Sequence, residues 1–321
     1  MPCALFRAAT VAAVMFTALL CAAGAQAQER VRLGNLTSVQ SGALSYVKEI
    51  AQGCGIQVEE TMFGGDGAVL RALADGEIDV GASASASSAI AARAAGVPLF
   101  IVAAYAKGGV RLFARRGQDI RSWQALRGKK VAVAPGSIGE LLLMAALDEA
   151  ALPPGSVQPV MLASGAQGAA MLGKQVSALM QSEPQPVDRH QWIEVLRPYE
   201  TAIGEPVRIV VMTEAFYHRK RALAEKFMAC YVLAAKAFAN DQVLAERYVR
   251  EVMFKGQLGS AAYGESLASA PYIVDISTRH IQVTTDAMVR TGLPHMVRAP
   301  LAREWVRTDL LETARKRPGG G

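Results

Sequence analysis

Four short polar stretches carry the residues that could do chemistry in this chain. The first is Asn35, Thr37, Ser38, Gln40 and Ser41. The second is the serine run Ser83, Ser85, Ser87 and Ser88. The third is Pro135-Gly136-Ser137-Ile138-Gly139-Glu140, and the fourth Gln181-Ser182-Glu183. Their polar side chains are mostly hydroxyls and amides, with the carboxylates Glu140 and Glu183, suited to hydrogen-bonding a small polar group and poorly suited to attacking one. The first three each run into a stretch with helical character. There the first backbone N–H groups have no helical partner and the positive end of the helix dipole favours an anion. A carboxylate, a sulfonate or another small anion fits that arrangement. A lone serine at a helix start is also an ordinary cap, so the weight rests on the set of four. None of the four stretches contains a basic residue; Lys107 and Arg111 stand near the expected hinge, placed either to reach a cleft or to be solvated.

Motifs for covalent chemistry do not assemble. Pro135 stands where a nucleophile elbow G-x-S-x-G needs its first glycine ahead of Ser137. There is no G-x-x-x-x-G-K-[ST] phosphate loop. His190, His218, His280 and His295 are scattered, without a metal-binding pair at helical spacing. No cofactor and no metal is expected. Cys54 and Cys230 lie outside any C-x-x-C. They either pair in an oxidising compartment or stay as buried thiols, and spacing does not decide between the two.

The elements that position these stretches alternate. Strand patterns at 30–36, 56–63, 78–81 and 98–104 are separated by helical patterns at 38–50, 68–74 and 82–95, with Asp66 as a plausible cap for the helix at 68. The alternation then restarts. Strands are expected at 110–114, 130–134, 157–162, 176–180 and 207–212, with helices at 138–150 and 166–172 between them. From Ala222 onward the pattern is helical, with Phe227, Tyr231, Ala234, Ala235 and Phe238 on one face. Strands separated by helices of this length predict βαβ units and mostly parallel sheets. In such sheets ligands bind beyond the carboxyl ends of the strands, and all four polar stretches follow expected strands.

Composition narrows the class. The chain has 321 residues, 51% hydrophobic, 6% aromatic and 19% charged, with a net charge of +6. That is too apolar for a disordered chain. The basic residues form only short groups, such as the doublets Arg115-Arg116 and Lys129-Lys130 and the tail triplet Arg315-Lys316-Arg317, so nucleic acid is not the expected partner. Residues 1–27 read as a cleaved secretory signal. Arg7 precedes an uncharged apolar run, Ala8 to Gly24, and Ala25-Gln26-Ala27 supplies the small-x-small cleavage pattern. No later stretch is long and apolar enough to span a bilayer.

The order of three motifs resembles one family. Leu70-x-x-Leu73-x-x-Gly76-x-Ile78-Asp79-Val80-Gly81 is followed by small residues and Ala95-Gly96-Val97-Pro98-Leu99. Next comes Leu126-Arg127-Gly128-Lys129-Lys130-Val131-Ala132-Val133, running into Pro135-Gly136-Ser137. Gly173 to Pro184 closes on Glu183-Pro184. Together these are similar to the periplasmic substrate-binding proteins of nitrate/sulfonate/taurine-type ABC importers, whose relatives include receptors for thiamine-precursor pyrimidines. The resemblance runs over roughly 31–314. It implies an α/β chain in the two-lobe type II periplasmic-binding-protein fold: a mostly parallel sheet flanked by helices in each lobe, a hinge between them, and a helical C-terminal tail. The expected boundaries are 28–108 and 214–321 for lobe I and 109–213 for lobe II.

The implied ligand site is the cleft between the lobes: Thr37, Ser38, Gln40, Ser41, Ser83, Ser85, Ser87, Ser137, Ile138, Gly139, Gln181, Ser182 and Glu183. The position before Glu183, aromatic in many relatives, is Ser182, which removes a stacking surface from that loop. The implied activity is non-enzymatic. A monomeric periplasmic receptor captures a small anionic or zwitterionic solute and hands it to an ABC permease and its ATPase. Two alternatives use the same frame: a pyrimidine-synthase-like enzyme, which would need a cysteine-and-histidine motif absent here, and a sensing lobe for a signalling receptor.

Overall fold

The computed structural model describes residues 30–153, 155–182, 191–293, 296 and 298–316. The signal assigned to 1–27 and the site residue Glu183 lie outside the described residues.

Among the described residues ten strands form two sheets of one design. The first contains β1 (Arg30–Leu36), β2 (Gln57–Phe63), β3 (Val80–Ser83), β4 (Leu99–Lys107) and β10 (Val207–Thr213), in the order β2-β1-β3-β10-β4. The second contains β5 (Val110–Arg115), β6 (Lys130–Val133), β7 (Gln158–Met161), β8 (Ala178–Ser182) and β9 (Trp192–Leu196), in the order β7-β6-β8-β5-β9. β1, β2 and β3 run parallel, as do β6, β7 and β8. Each sheet also receives one antiparallel strand in the fourth position, β10 in the first and β5 in the second. In each case it is the strand entered directly after the chain crosses from the other sheet. The expected two-lobe α/β architecture is therefore present, with sheets that are mixed.

Three local expectations change. Val207–Thr213, allotted from sequence to the second lobe, hydrogen-bonds between β3 and β4 of the first sheet. β9 was not foreseen; its Trp-Ile-Glu-Val-Leu pattern is short and carries no turn signal. The helix expected from Ala82 begins at Ala86, because Ala82 and Ser83 still belong to β3 and Ser85 is the cap.

The helices are α1 (Gly42–Ile50), α2 (Asp66–Ala74), α3 (Ala86–Ala94), α4 (Ile138–Glu149), α5 (Ser164–Leu172), α6 (Glu214–Arg219), α7 (Arg221–Asn240), α8 (Gln242–Arg247), α9 (Ser260–Ser269), α10 (Thr278–Thr291), α11 (Ala302–Trp305) and α12 (Asp309–Lys316). The apolar face of α7 buries Phe227, Tyr231, Ala234 and Phe238 against α1 and α12. The tail also closes the open edge of β4, a place where an unpaired strand would invite association. Ala104 N–H donates to Val274 O (3.0 Å), and Arg307 N–H donates to Ile101 O (2.8 Å). Among the described residues no helix is long and apolar enough to cross a membrane.

Cys54, in the 3-10 turn after α1, forms a disulfide with Cys230 of α7, Cα to Cα 5.8 Å across 176 residues of chain. The pairing that spacing left open is thus made within the first lobe. At the crossing between sheets, Gly108 N–H donates to Pro206 O (2.8 Å) and Gly109 N–H to Ser269 O (2.9 Å). Gly108 has φ +77°, and a Cβ there would stand 2.8 Å from the Ser269 carbonyl oxygen, so only glycine fits.

Candidate functional site

The site residues of the first sheet stand where the β1 and β3 strands end. β1 and β3 are in register at Gly34↔Gly81, which sets the loop after Leu36 beside the loop after Ser83. Ser38 opens a 3-10 turn ahead of α1, and its hydroxyl accepts from Ser41 N–H (3.2 Å). Ser41 Oγ donates to the carbonyls of Leu36 (2.5 Å) and Ser38 (3.1 Å). Gln40, fully buried, donates through Nε2 to Ser266 O and Oγ in α9 (3.1 and 2.9 Å), while its Oε1 has no partner among the described residues. Ser41 and Gln40 therefore hold the loop in shape. Thr37 is exposed and Ser38 buried.

In the second loop Ser83 Oγ donates to Ser85 O (2.9 Å), and Ser85 Oγ accepts from Ser87 N–H (3.1 Å) as the cap of α3. Ser83, Ser85 and Ser87 are all buried.

In the second sheet Ser137 caps α4 by accepting from Glu140 N–H (3.2 Å), and Glu140 Oε2 accepts in return from Gly136 N–H (2.6 Å). The cap satisfies one of the free donors at the helix start, and the Glu140 carboxylate holds the turn that leads into it. Ile138, Gly139 and Glu140 are buried behind it. Gly139 lies so close to β8 that a Cβ would sit 3.1 Å from Met180 Cγ. Gln167 of α5, its amide oriented by the surrounding donors and acceptors, links Ala134 N–H (2.9 Å) to Met180 O (3.2 Å). It thereby ties the loop after β6 to the end of β8. Gln181 is buried with Oε1 unpartnered among the described residues, and Ser182 ends β8. Across the two sheets, α4 packs against α3 and α10. The serine-capped helices of the second and third stretches are therefore neighbours.

The charged members were not in the expected set. β10 pairs Ile209 with Ser83 and Arg208 with Ala106, so Arg208 stands beside the β3 end, 4% exposed. On one side of it is the buried ring of Tyr105; burial raises the phenol's pKa against the opposing field of Arg208. On the other is Asp66, the first residue of α2. The expected capping role does not hold: Gly65 is the cap, and Asp66 Oδ1 accepts from Ala84 N–H of the β3–α3 loop (2.6 Å). Asp66 keeps part of its surface exposed while its carboxyl group faces inward. Loss of water there pushes its pKa up, opposed by the Ala84 N–H, the Ser88 and Ser83 hydroxyls and the Arg208 charge.

In the second sheet buried Arg111 pairs with Glu194 of β9 (3.3 Å) and lies over the Phe113 ring. Burial raises the Glu194 pKa, but Arg197 and Arg111 prevail and hold it below the usual carboxylate value. Lys107 pairs with Glu205 at the crossing (2.7 Å).

Arg208 left a signal that could have been read: a lone charge inside Val207-Arg208-Ile209-Val210-Val211-Met212. A cation in an otherwise buried strand needs a partner.

A family model described as NMT1/THI5 like matches residues 52–245. No curated protein matches the chain. Among solved structures, the alkanesulfonate-binding protein SsuA from Xanthomonas axonopodis pv. citri bound to MOPS is 19% identical with a TM-score of 0.69, over 87% of this chain and 98% of its own. The periplasmic aliphatic sulphonate binding protein SsuA from Escherichia coli is 18% identical with a TM-score of 0.73, over 86% and 91%. The periplasmic nitrate-binding protein NrtA from Synechocystis PCC 6803 is 15% identical with a TM-score of 0.70, over 90% and 89%. At these identities the likeness is one of fold.

Proposed function

The chain belongs to the NMT1/THI5-like family, and from that premise we propose that it is a solute-binding receptor of the periplasm. It takes a small acidic or zwitterionic solute between its two lobes and delivers it, as a monomer, to an ABC permease driven by a separate ATPase. The lobes are the two sheets with their helices, the first built from both ends of the chain and the second from the middle. The observation that carries this reading is that α3 and α4, serine-capped helices belonging to the two different sheets, pack against each other. A solute held there would bridge the lobes and favour their closed arrangement. The sulfonate-binding and nitrate-binding proteins of the same fold support the solute class. Synthase chemistry is not favoured, since Cys54 and Cys230 are joined to each other.

A thermal-shift screen against sulfonates, nitrate, carboxylates, amino acids, taurine and pyrimidines tests the reading. A true ligand at 100 times its Kd adds about 2.7 kcal/mol of stability, and silence across the whole screen refutes the receptor function. Ser137→Trp sets an indole at the start of α4 and is expected to abolish any ligand-dependent shift while the far-UV spectrum stays native. A shift that survives in that variant would place the ligand elsewhere.

A further inference from the structure

We propose that Asp66 and Arg208 are the specificity-determining pair of this cleft and that they select a zwitterion, a small acid carrying its own amino group, over the same acid without it. The inference rests on the solute-binding reading above and deepens it.

Three observations lead there. The first is placement. Arg208 lies on β10 beside the end of β3, and Asp66 reaches the same loop from α2 through Ala84 N–H at 2.6 Å. A positive and a negative side chain thus flank one loop, the one whose serines start α3. The second is the setting of the carboxyl group: it faces inward beside the hydroxyls of Ser83 and Ser88, stripped of much of its water, so a bound ammonium would replace solvation it has lost. The third is charge balance. Arg208 stands in the field of Asp66, Arg111 is paired with Glu194, Lys107 with Glu205, and the start of α4 holds the carboxylate of Glu140. Each of these cations already faces a carboxylate.

That balance decides between ligand classes. A bare anion enclosed here would be a surplus negative charge, and a buried charge without its counterpart is strongly disfavoured. A zwitterion adds no net charge. Its acidic end can meet Arg208 and the free N–H groups of α3, and its ammonium can meet Asp66. A neutral polyol would bring hydrogen bonds but engage neither charge fully.

Isothermal titration of the wild-type protein with two matched pairs tests this: taurine against ethanesulfonate, and β-alanine against propionate. The amino member of at least one pair is expected to bind at least about tenfold tighter, a difference of about 1.4 kcal/mol. Asp66→Asn keeps an acceptor for Ala84 N–H but removes the charge, and the ratio within that pair is expected to collapse to about threefold or less. Arg208→Gln is expected to weaken both members, with Arg208→Lys recovering part of the loss. If either variant fails to fold by circular dichroism, the wild-type ratios decide alone. Ethanesulfonate and propionate each binding as tightly as its amino partner overturns the inference and leaves the receptor reading intact. So does binding of nitrate or a polyol ahead of both amino acids. Silence from these four compounds, nitrate and the polyol overturns this inference, and the receptor reading then stands or falls on the broader thermal screen.

Discussion

At the scale of single residues, side chains that looked alike in sequence divide by what they touch. Ser137 is an ordinary helix cap, so Ser137→Ala is expected to cost about 1 kcal/mol, read as a lower midpoint in chemical denaturation at unchanged slope. Gln40 looked equally available, yet its amide is spent on Ser266, 226 residues away. A partner that remote leaves no local trace, which is why the sequence could mark the loop but not which of its side chains face a ligand. Asp66 was legible as a helix-start residue, whereas its bond to Ala84 depends on two loops meeting. His280 supplies a pH prediction. Burial lowers its pKa below 6.5, so the folded state holds it neutral. The stability this brings is complete above pH 6.5 and is lost as the pH falls through the lowered folded value. Melting temperature is expected to drop as the pH falls below 6.5, and His280→Gln to flatten that drop; an unchanged profile in the variant would exclude His280 as the source.

At the scale of elements, periodicity exposed the long alternating units and missed what tertiary contacts create. The stretches 98–104 and 207–212 both read as strands, but only pairing shows that β10 returns to the first sheet. β9 has five residues and gains its identity from β5 alongside it. Element junctions carry their own prediction. Gly108→Ala forces a left-handed residue to carry a Cβ 2.8 Å from a carbonyl. It is expected to destabilise by at least about 1–2 kcal/mol, measured by urea denaturation. A neutral substitution would mean the crossing segments shift freely. The link between the first loop and α9 predicts coupling as well: Gln40→Ala and Ser266→Ala together should cost less than the sum of the two single changes, by about 1 kcal/mol in a double-mutant cycle.

At the scale of the whole molecule, the two-lobe plan was legible because three motifs kept their order and spacing. The disulfide was not, because proximity across 176 residues is a property of the fold. Closing so long a loop removes much of the freedom of the unfolded chain. In the loop-entropy account it stabilises by about 5 kcal/mol. Reduction, or Cys54→Ser, is expected to lower the melting temperature markedly, and an unchanged temperature would show that strain offsets the gain. The same bond has a topological result. It makes a covalent ring from the chain between the two cysteines, and the entire second sheet hangs inside that ring. Lys174, exposed with a positive φ of 58° in the turn between α5 and β8, is a natural site for trypsin. A single nick there should leave one band of full mass on a non-reducing gel and two fragments once the thiols are freed, so the halves of the first lobe would stay married after the backbone between them is broken.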